Sequence, residues 1–430
     1  MDLRREWGRT MAYPRSSEDV YNDLRTIVDD WNANTQFKMP CYHQRLPYRW
    51  KGKKERTYFF QLPKRPVSSQ QHQRSDQLGI LLTGGVLGNE LQGPDIIVEF
   101  VRRYLDALVP HVLTIGTATP QPPNAIVIGN FLLSGPQVEE IFYTQTIFII
   151  PLVNRHGRDV AINEVAMAGL GLDSEHGRKN INRVCIARNF GVAWDYRKLF
   201  TAAGQQSLDL VSDDVNDANY HGKRPFSEVE TRNFRWMLDY DYNITICFDI
   251  HGASVFPNVF SIEYPWNFEE IQTVDPNMCY CNPRSMGKLD GYQAGAKVGV
   301  SPTPPDYAEY MPATSWNQGG FSHVDIAEKF KRSAELGDKT KRDLWTIRQA
   351  AEMWHCTGPN DDYAFSLDRD RMRAFTVECA DLQPPLPLYQ HEEEIVQAGL
   401  FGALDFIKDA IKAQGKITDL VRHNPPNICH

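Results

Sequence analysis

The sequence predicts an α/β fold: a mixed, mostly parallel sheet of the eight-stranded type, with helices on both faces. Three observations predict it. Apolar runs of strand length, such as "LGILLTGG" and "IFYTQTIFIIPLVN", suit strands buried on both faces. Segments with helical spacing, such as "PDIIVEFVRRYLDAL", alternate with them. Polar residues stand at or just beyond the carboxyl ends of apolar runs, where sheets of this kind bind ligands: Glu90, His251 and Glu378.

Taken in order, "SSEDVYNDLRTIVDDW" opens on serine caps and acidic residues, then spaces its apolar residues as a helix does. "RTYFFQL" reads as a strand, and the polar "PKRPVSSQQHQRSD" as a connection. "LGILLTGG" is a buried strand, and Pro suits the first turn of the helix "PDIIVEFVRRYLDAL". "IFYTQTIFIIPLVN", "DYNITICFDIHG" and "AFTVECAD" supply three further strands, each with polar residues near its end. "HEEEIVQAGLFGALDFIKDAIKAQ" is a long terminal helix. The expected organisation is an N-terminal extension over 1–50 and one main domain over 51–425. A Pro-, Gly-, Asn- and Tyr-rich insertion at about 265–345 should be mostly loop.

Composition narrows the function. The chain has 430 residues, 42% hydrophobic and 23% charged, as a core-forming globular protein does. A net charge of -8 spread along the chain argues against nucleic acid or an anionic membrane as the main partner. No apolar run is long enough for a membrane span. The start lacks the apolar core of a secretory signal. It is arginine-rich, which leaves a mitochondrial presequence open, although Asp2 and Glu6 weigh against one. The eight cysteines follow no disulfide framework, and Cys279 and Cys281 lie too close together for a zinc knuckle. These features point to a reducing intracellular compartment, the cytoplasm first.

Six motifs in one order carry a resemblance: "GGVLGNE", "IIPLVNRHGRD", "GRKNINRVCIARNFGVAW", "RPFSEVETR", "FDIHG" and "FTVECAD". They resemble the zinc carboxypeptidase family over most of residues 78–386. The resemblance implies a zinc ion held by two histidines and a glutamate, with a fourth position open to water. It places Glu90 and His251 as metal ligands. Glu378 becomes the general base, Arg178 the group that polarises the scissile carbonyl, and Arg188 a binder of the substrate's terminal carboxylate. Singly, each residue has a plainer reading: a surface arginine, a helix-start acid or a core histidine. As an ordered set they fit an inherited site.

The departures matter more. Leu87 stands where the family has its first histidine ligand, and a hydrocarbon has no lone pair to give. Cys185 stands where the family has the aspartate that orients that histidine. Ala187 replaces the asparagine that works beside Arg188. Cys185 is also a candidate substitute ligand, since a thiolate suits zinc. His355, His156 and His176 are weaker candidates. Without a cation, Glu90 and Glu378 need another partner, and the expectation is an ion pair from Arg178 or Arg188.

Three functions follow. The first is a catalytically silent member acting as a binding or structural subunit of a larger assembly, with no cofactor expected. The second is an active metallocarboxypeptidase acting on peptide C-termini, with zinc held by an altered set. The third is a related acylase, because "GGVLGNE" also resembles the metal motif of aspartoacylase-like proteins.

Overall fold

The computed structural model describes residues 14–35, 39–50, 56–63, 77–168, 177–191, 194–195, 197, 211–239, 244–253, 260–265, 323–338, 345–349, 360–367, 372–380 and 389–414. Its ten strands are β1 (Tyr42–Arg45), β2 (Tyr58–Gln61), β3 (Leu78–Gly84), β4 (Ile126–Ile128), β5 (Phe131–Leu133), β6 (Gln145–Ile150), β7 (Ile244–Ala253), β8 (Phe260–Tyr264), β9 (Trp345–Gln349) and β10 (Arg373–Ala380). Its α-helices, in chain order, are α1 (Ser17–Asn34), α2 (Gln92–Thr114), α3 (Gly135–Thr144), α4 (Arg155–Ala168), α5 (Val229–Asp239), α6 (His323–Gly337), α7 (Asn360–Leu367) and α8 (Tyr389–Gln414). Among the described residues, no helix is long and apolar enough to cross a membrane.

The main sheet has eight strands in the order β1-β2-β6-β3-β7-β10-β8-β9. Its centre, β6-β3-β7-β10, is parallel, and antiparallel pairings flank it at β2 and β8. Two of the central strands, β3 and β6, are buried along their whole length, which explains why their sequences are mostly apolar rather than alternating. Alternation still sorts their side chains to two faces. Ile80, Leu82, Phe248, Ile250 and Val377 join one cluster with residues of α1, α2, α3, α6 and α8. Leu81, Cys247 and Ala374 join a second cluster with residues of α5, α7 and the segment 184–190. By the same two-residue period, Thr83, Asp249, His251 and Glu378 share the second cluster's side, at the carboxyl ends of the strands.

Two parts of the structure bear on the domain organisation. Residues 14–35 and 39–50 pack with the main core and sheet. Ser16 caps α1 by a reciprocal box with Asp19. Val20, Leu24, Ile27, Val28 and Trp31 then enter the main core, and β1 forms the sheet's edge. Within the expected loop-rich insertion, residues 323–337 form α6, whose Ile326, Ala327, Phe330 and Ala334 are wholly buried. The connection at 64–76 and most of the insertion lie outside the described residues.

Candidate active site

The chain leaves β3 through Gly85, whose φ of +63° is a left-handed turn that suits glycine. It returns to the sheet at Gly93, where an added Cβ would lie 2.0 Å from the Ile250 carbonyl oxygen. That contact presses the start of α2 onto the end of β7. Glu90 is thereby held beside His251, and the Gly252 N–H donates to its Oε2 at 3.2 Å. Glu378 is brought in by strand register, since it is the direct partner of His251 across the parallel β7/β10 ladder.

Glu90, His251 and Glu378 are all buried, and one donor atom from each lies within 4.8 Å of the others. His251 Nδ1 is 2.7 Å from Glu90 Oε2 and 3.9 Å from Glu378 Oε1. The 2.7 Å approach is off the line of a hydrogen bond, so Nδ1 has a close charge neighbour but no hydrogen-bond partner. The other ring nitrogen is pinned. Nε2 lies 2.5 Å from Asp249 Oδ2, and a carboxylate can only accept, so Nε2 carries the proton. Asp249 is fixed in turn by Thr83, whose hydroxyl donates to Oδ1 at 2.6 Å. Asn360 donates to Oδ2 at 2.7 Å.

These charges balance one another. Burial alone would lower the His251 pKa, but the carboxylates of Asp249, Glu90 and Glu378 outweigh it and hold the value well above normal. Burial pushes Glu378 up to about 8; His251 opposes that, and Glu90, Glu263 and Asp249 add to it.

The ion pair expected from the arginines is therefore corrected: the cation facing Glu90 is His251. Arg178 donates to Asn219 Oδ1 at 3.2 Å, and Arg188 donates to the Ala187 carbonyl at 2.9 Å. Among the described residues no ion pair joins either arginine to Glu90 or Glu378. Cys185 is buried in the apolar cluster that also holds Leu87, Val86, Ile186 and Ala187, and it is not among the grouped donors. His156 lies on α4. His176 and His355 are outside the described residues.

Sequence reading missed Asp249, Thr83 and Asn360. The spacing in "FDIHG" could have found the first, because residues two apart on a strand share a face. Thr83 and Asn360 come from other elements and carry no local signal.

A model of the zinc carboxypeptidase family (Peptidase M14) matches residues 65–398, well over half of the chain. The chain belongs to the zinc carboxypeptidase family. Among solved structures, it is similar to thrombin activatable fibrinolysis inhibitor, with 13% identity and a TM-score of 0.54, covering 92% of this chain and 74% of that one. It is also similar to the carboxypeptidase A of Helicoverpa armigera, with 15% identity and a TM-score of 0.52, covering 93% and 74%. At such identities the likeness speaks to fold alone. A search of curated proteins found no match.

For a zinc carboxypeptidase, the donor set is short. Leu87, where the resemblance places the first histidine, is apolar and packed. The unpartnered, buried Nδ1 of His251 is the kind of atom a metal takes. Counting it with Glu90 gives two donors, and among the described residues a third is available only from Glu378. Zinc hydrolases need three protein ligands and a separate base. One carboxylate cannot serve as both, so the residues do not fit the family's catalytic zinc.

Proposed function

We propose that this member of the zinc carboxypeptidase family does not hydrolyse peptides and serves as a binding or structural subunit of a larger assembly. One observation carries the reading. Leu87 sits in an apolar cluster where the first ligand belongs, so completing a metal site would consume Glu378, the only base that the resemblance supplies. The close approach of His251 to Asp249 and Glu90 supports it, because the ring offsets part of their negative charge. Buried free thiols at Cys41, Cys185, Cys247 and Cys379 support a reducing, intracellular setting.

The alternative is an active metallocarboxypeptidase with an altered ligand set. The compact Glu90, His251 and Glu378 group favours it. The decisive experiment is zinc analysis of protein purified without chelator, alongside turnover of peptides with free C-termini and of N-acyl amino acids. The expected result is far less than one zinc per chain and no turnover on either substrate. A stoichiometric, tightly held zinc with peptide cleavage would overturn the proposal, and cleavage of N-acyl amino acids would assign the acylase reading instead.

A further inference from the structure

A second concave site lies apart from the His251 group, between the β1–β2 connection, α4 and α5. It is a cavity of about 590 Å³, counting its open mouth, and its walls include Tyr48, Arg49, Trp50, Arg56, Arg155 and Glu230. The arginines there behave unlike their neighbours. Arg25 reaches Glu18 at 3.2 Å, Arg183 donates to Asn216 at 2.9 Å, and Arg232 lies over the Tyr48 ring at 5.0 Å. Among the described residues, Arg49 and Arg56 have no hydrogen bond, ion pair or ring partner. Arg155 uses Nη2 on Glu18 at 2.9 Å, while its Nε has no hydrogen-bond partner and Asp159 is 3.9 Å away.

The aromatic wall is held in place. Asn233 clamps the Tyr48 backbone from both sides, accepting from its N–H at 2.9 Å and donating to its carbonyl at 3.1 Å. The Trp50 indole donates to Glu230 Oε1 at 3.3 Å, and Glu230 also accepts from Asn180. The acids that face the cavity are thus engaged: Glu230 by Trp50 and Asn180, and Asp159 by Arg155. His156 completes a rim on which cations outnumber acids. In a chain with net charge -8, two unpaired guanidinium groups beside a fixed indole stand out.

We infer that this cavity binds an acidic peptide segment of a partner protein. Arg49 and Arg56 would grip its carboxylates, and Trp50 and Tyr48 would pack its side-chain stems. The planar guanidinium fork matches a carboxylate, and an unpaired arginine gives up no existing ion pair on binding. The inference rests on the reading of the chain as a binding subunit, yet its test does not involve zinc or turnover.

The test uses the full chain and a fluorescein-labelled oligoglutamate peptide, followed by fluorescence anisotropy at low salt. Oligoglutamine of equal length is the neutral control. Oligoglutamate should bind and oligoglutamine should not. The Arg49→Ala/Arg56→Ala variant should lose about tenfold or more in affinity. Arg332→Ala, which removes an exposed arginine on α6, should leave binding unchanged. Circular dichroism of each variant establishes that it is folded. Equal binding of the two peptides, or full affinity in the folded double variant, would overturn the inference. So would displacement of the peptide by inorganic phosphate at concentrations where free glutamate has no effect, since the cavity would then be a site for small oxyanions. Either failure leaves the zinc measurement untouched.

Discussion

The end of β7 and the segment 180–190 lie on the same side of the sheet and differ in what they hold. At the end of β7, Asp249, His251, Glu90 and Glu378 are all polar and all buried. Along 180–190 the positions that the resemblance ties to the metal and substrate, Cys185 and Ala187, lie in an apolar cluster with Leu87. Yet their neighbours Asn180 and Asn189 are polar and fully used. Asn180 donates to Glu228 at 2.7 Å, and its Oδ1 accepts the N–H groups of Asn182 and Val184. Asn189 donates to the His221 and Arg224 carbonyls and accepts from Thr231. The difference teaches which residues have a second duty. An asparagine that satisfies buried backbone cannot be lost without leaving those groups unpaired. A ligand or an orienter with only the metal to serve can be exchanged for packing.

The largest effect that tests this comparison is at Asp249. Asp249→Ala removes the partner of His251, Thr83 and Asn360 at once and leaves an imidazolium among unbalanced groups. Breaking a buried pair in this way costs about 3–5 kcal/mol. Urea denaturation should show that loss. A loss below about 1 kcal/mol, the range of an exposed pair, would mean that the polar wall is not the tightly coupled unit described.

The next effect sharpens the contrast from the apolar side. Leu87→His places an imidazole among Val86, Cys185 and Ala187 with nothing to bond, for a loss of about 3 kcal/mol. Adding Cys185→Asp should recover part of that loss, since the carboxylate can orient the new ring. The double variant should then bind about one zinc per chain, read by elemental analysis and by a rise in Tm with added zinc. If it stays metal-free while folded, the changes in this pocket reach beyond Leu87 and Cys185.

Much of this was legible in the sequence, for physical reasons. β3, β6, β7 and β10 showed themselves as apolar runs because burial on both faces leaves no room for polar side chains. Glu90, His251 and Glu378 were found because ordered motifs survive when their residues also hold the fold. The charge compensation was not legible. It depends on Asp249 turning to the same face as His251, and on Asn360 arriving from a helix more than a hundred residues away. Sequence reading assigned the neutralising role to arginines because it had no means to see that a histidine was nearer. The packing of α1 was not legible either, because the stripe from Val20 to Trp31 meets its partners only in three dimensions.

The smallest effect concerns Glu230, where the retained network meets the arginine-lined cavity. Burial pushes its pKa up to about 7, the nearby charge of Glu228 adds to the rise, and the bonds from Asn180 and Trp50 oppose it. In the unfolded chain the group titrates near the ordinary 4.5. The folded state therefore holds the proton more tightly than the unfolded state. The protein incurs no penalty from this residue below pH 4.5, loses stability progressively as pH rises from there to about 7, and shows no further change above. Glu230→Gln does not ionise, but it keeps an oxygen for only one of the two donors, Trp50 or Asn180. Relative to the parent it should be less stable by about 1 kcal/mol at pH 4, where one bond is lost, and more stable by about 2 kcal/mol at pH 8. Parallel denaturation curves at the two pH values measure the difference. A constant offset would show that Glu230 acts through packing rather than charge. Glu230 would then support Asn180 by shape alone, and its ionisation would carry no part of the contrast with the end of β7.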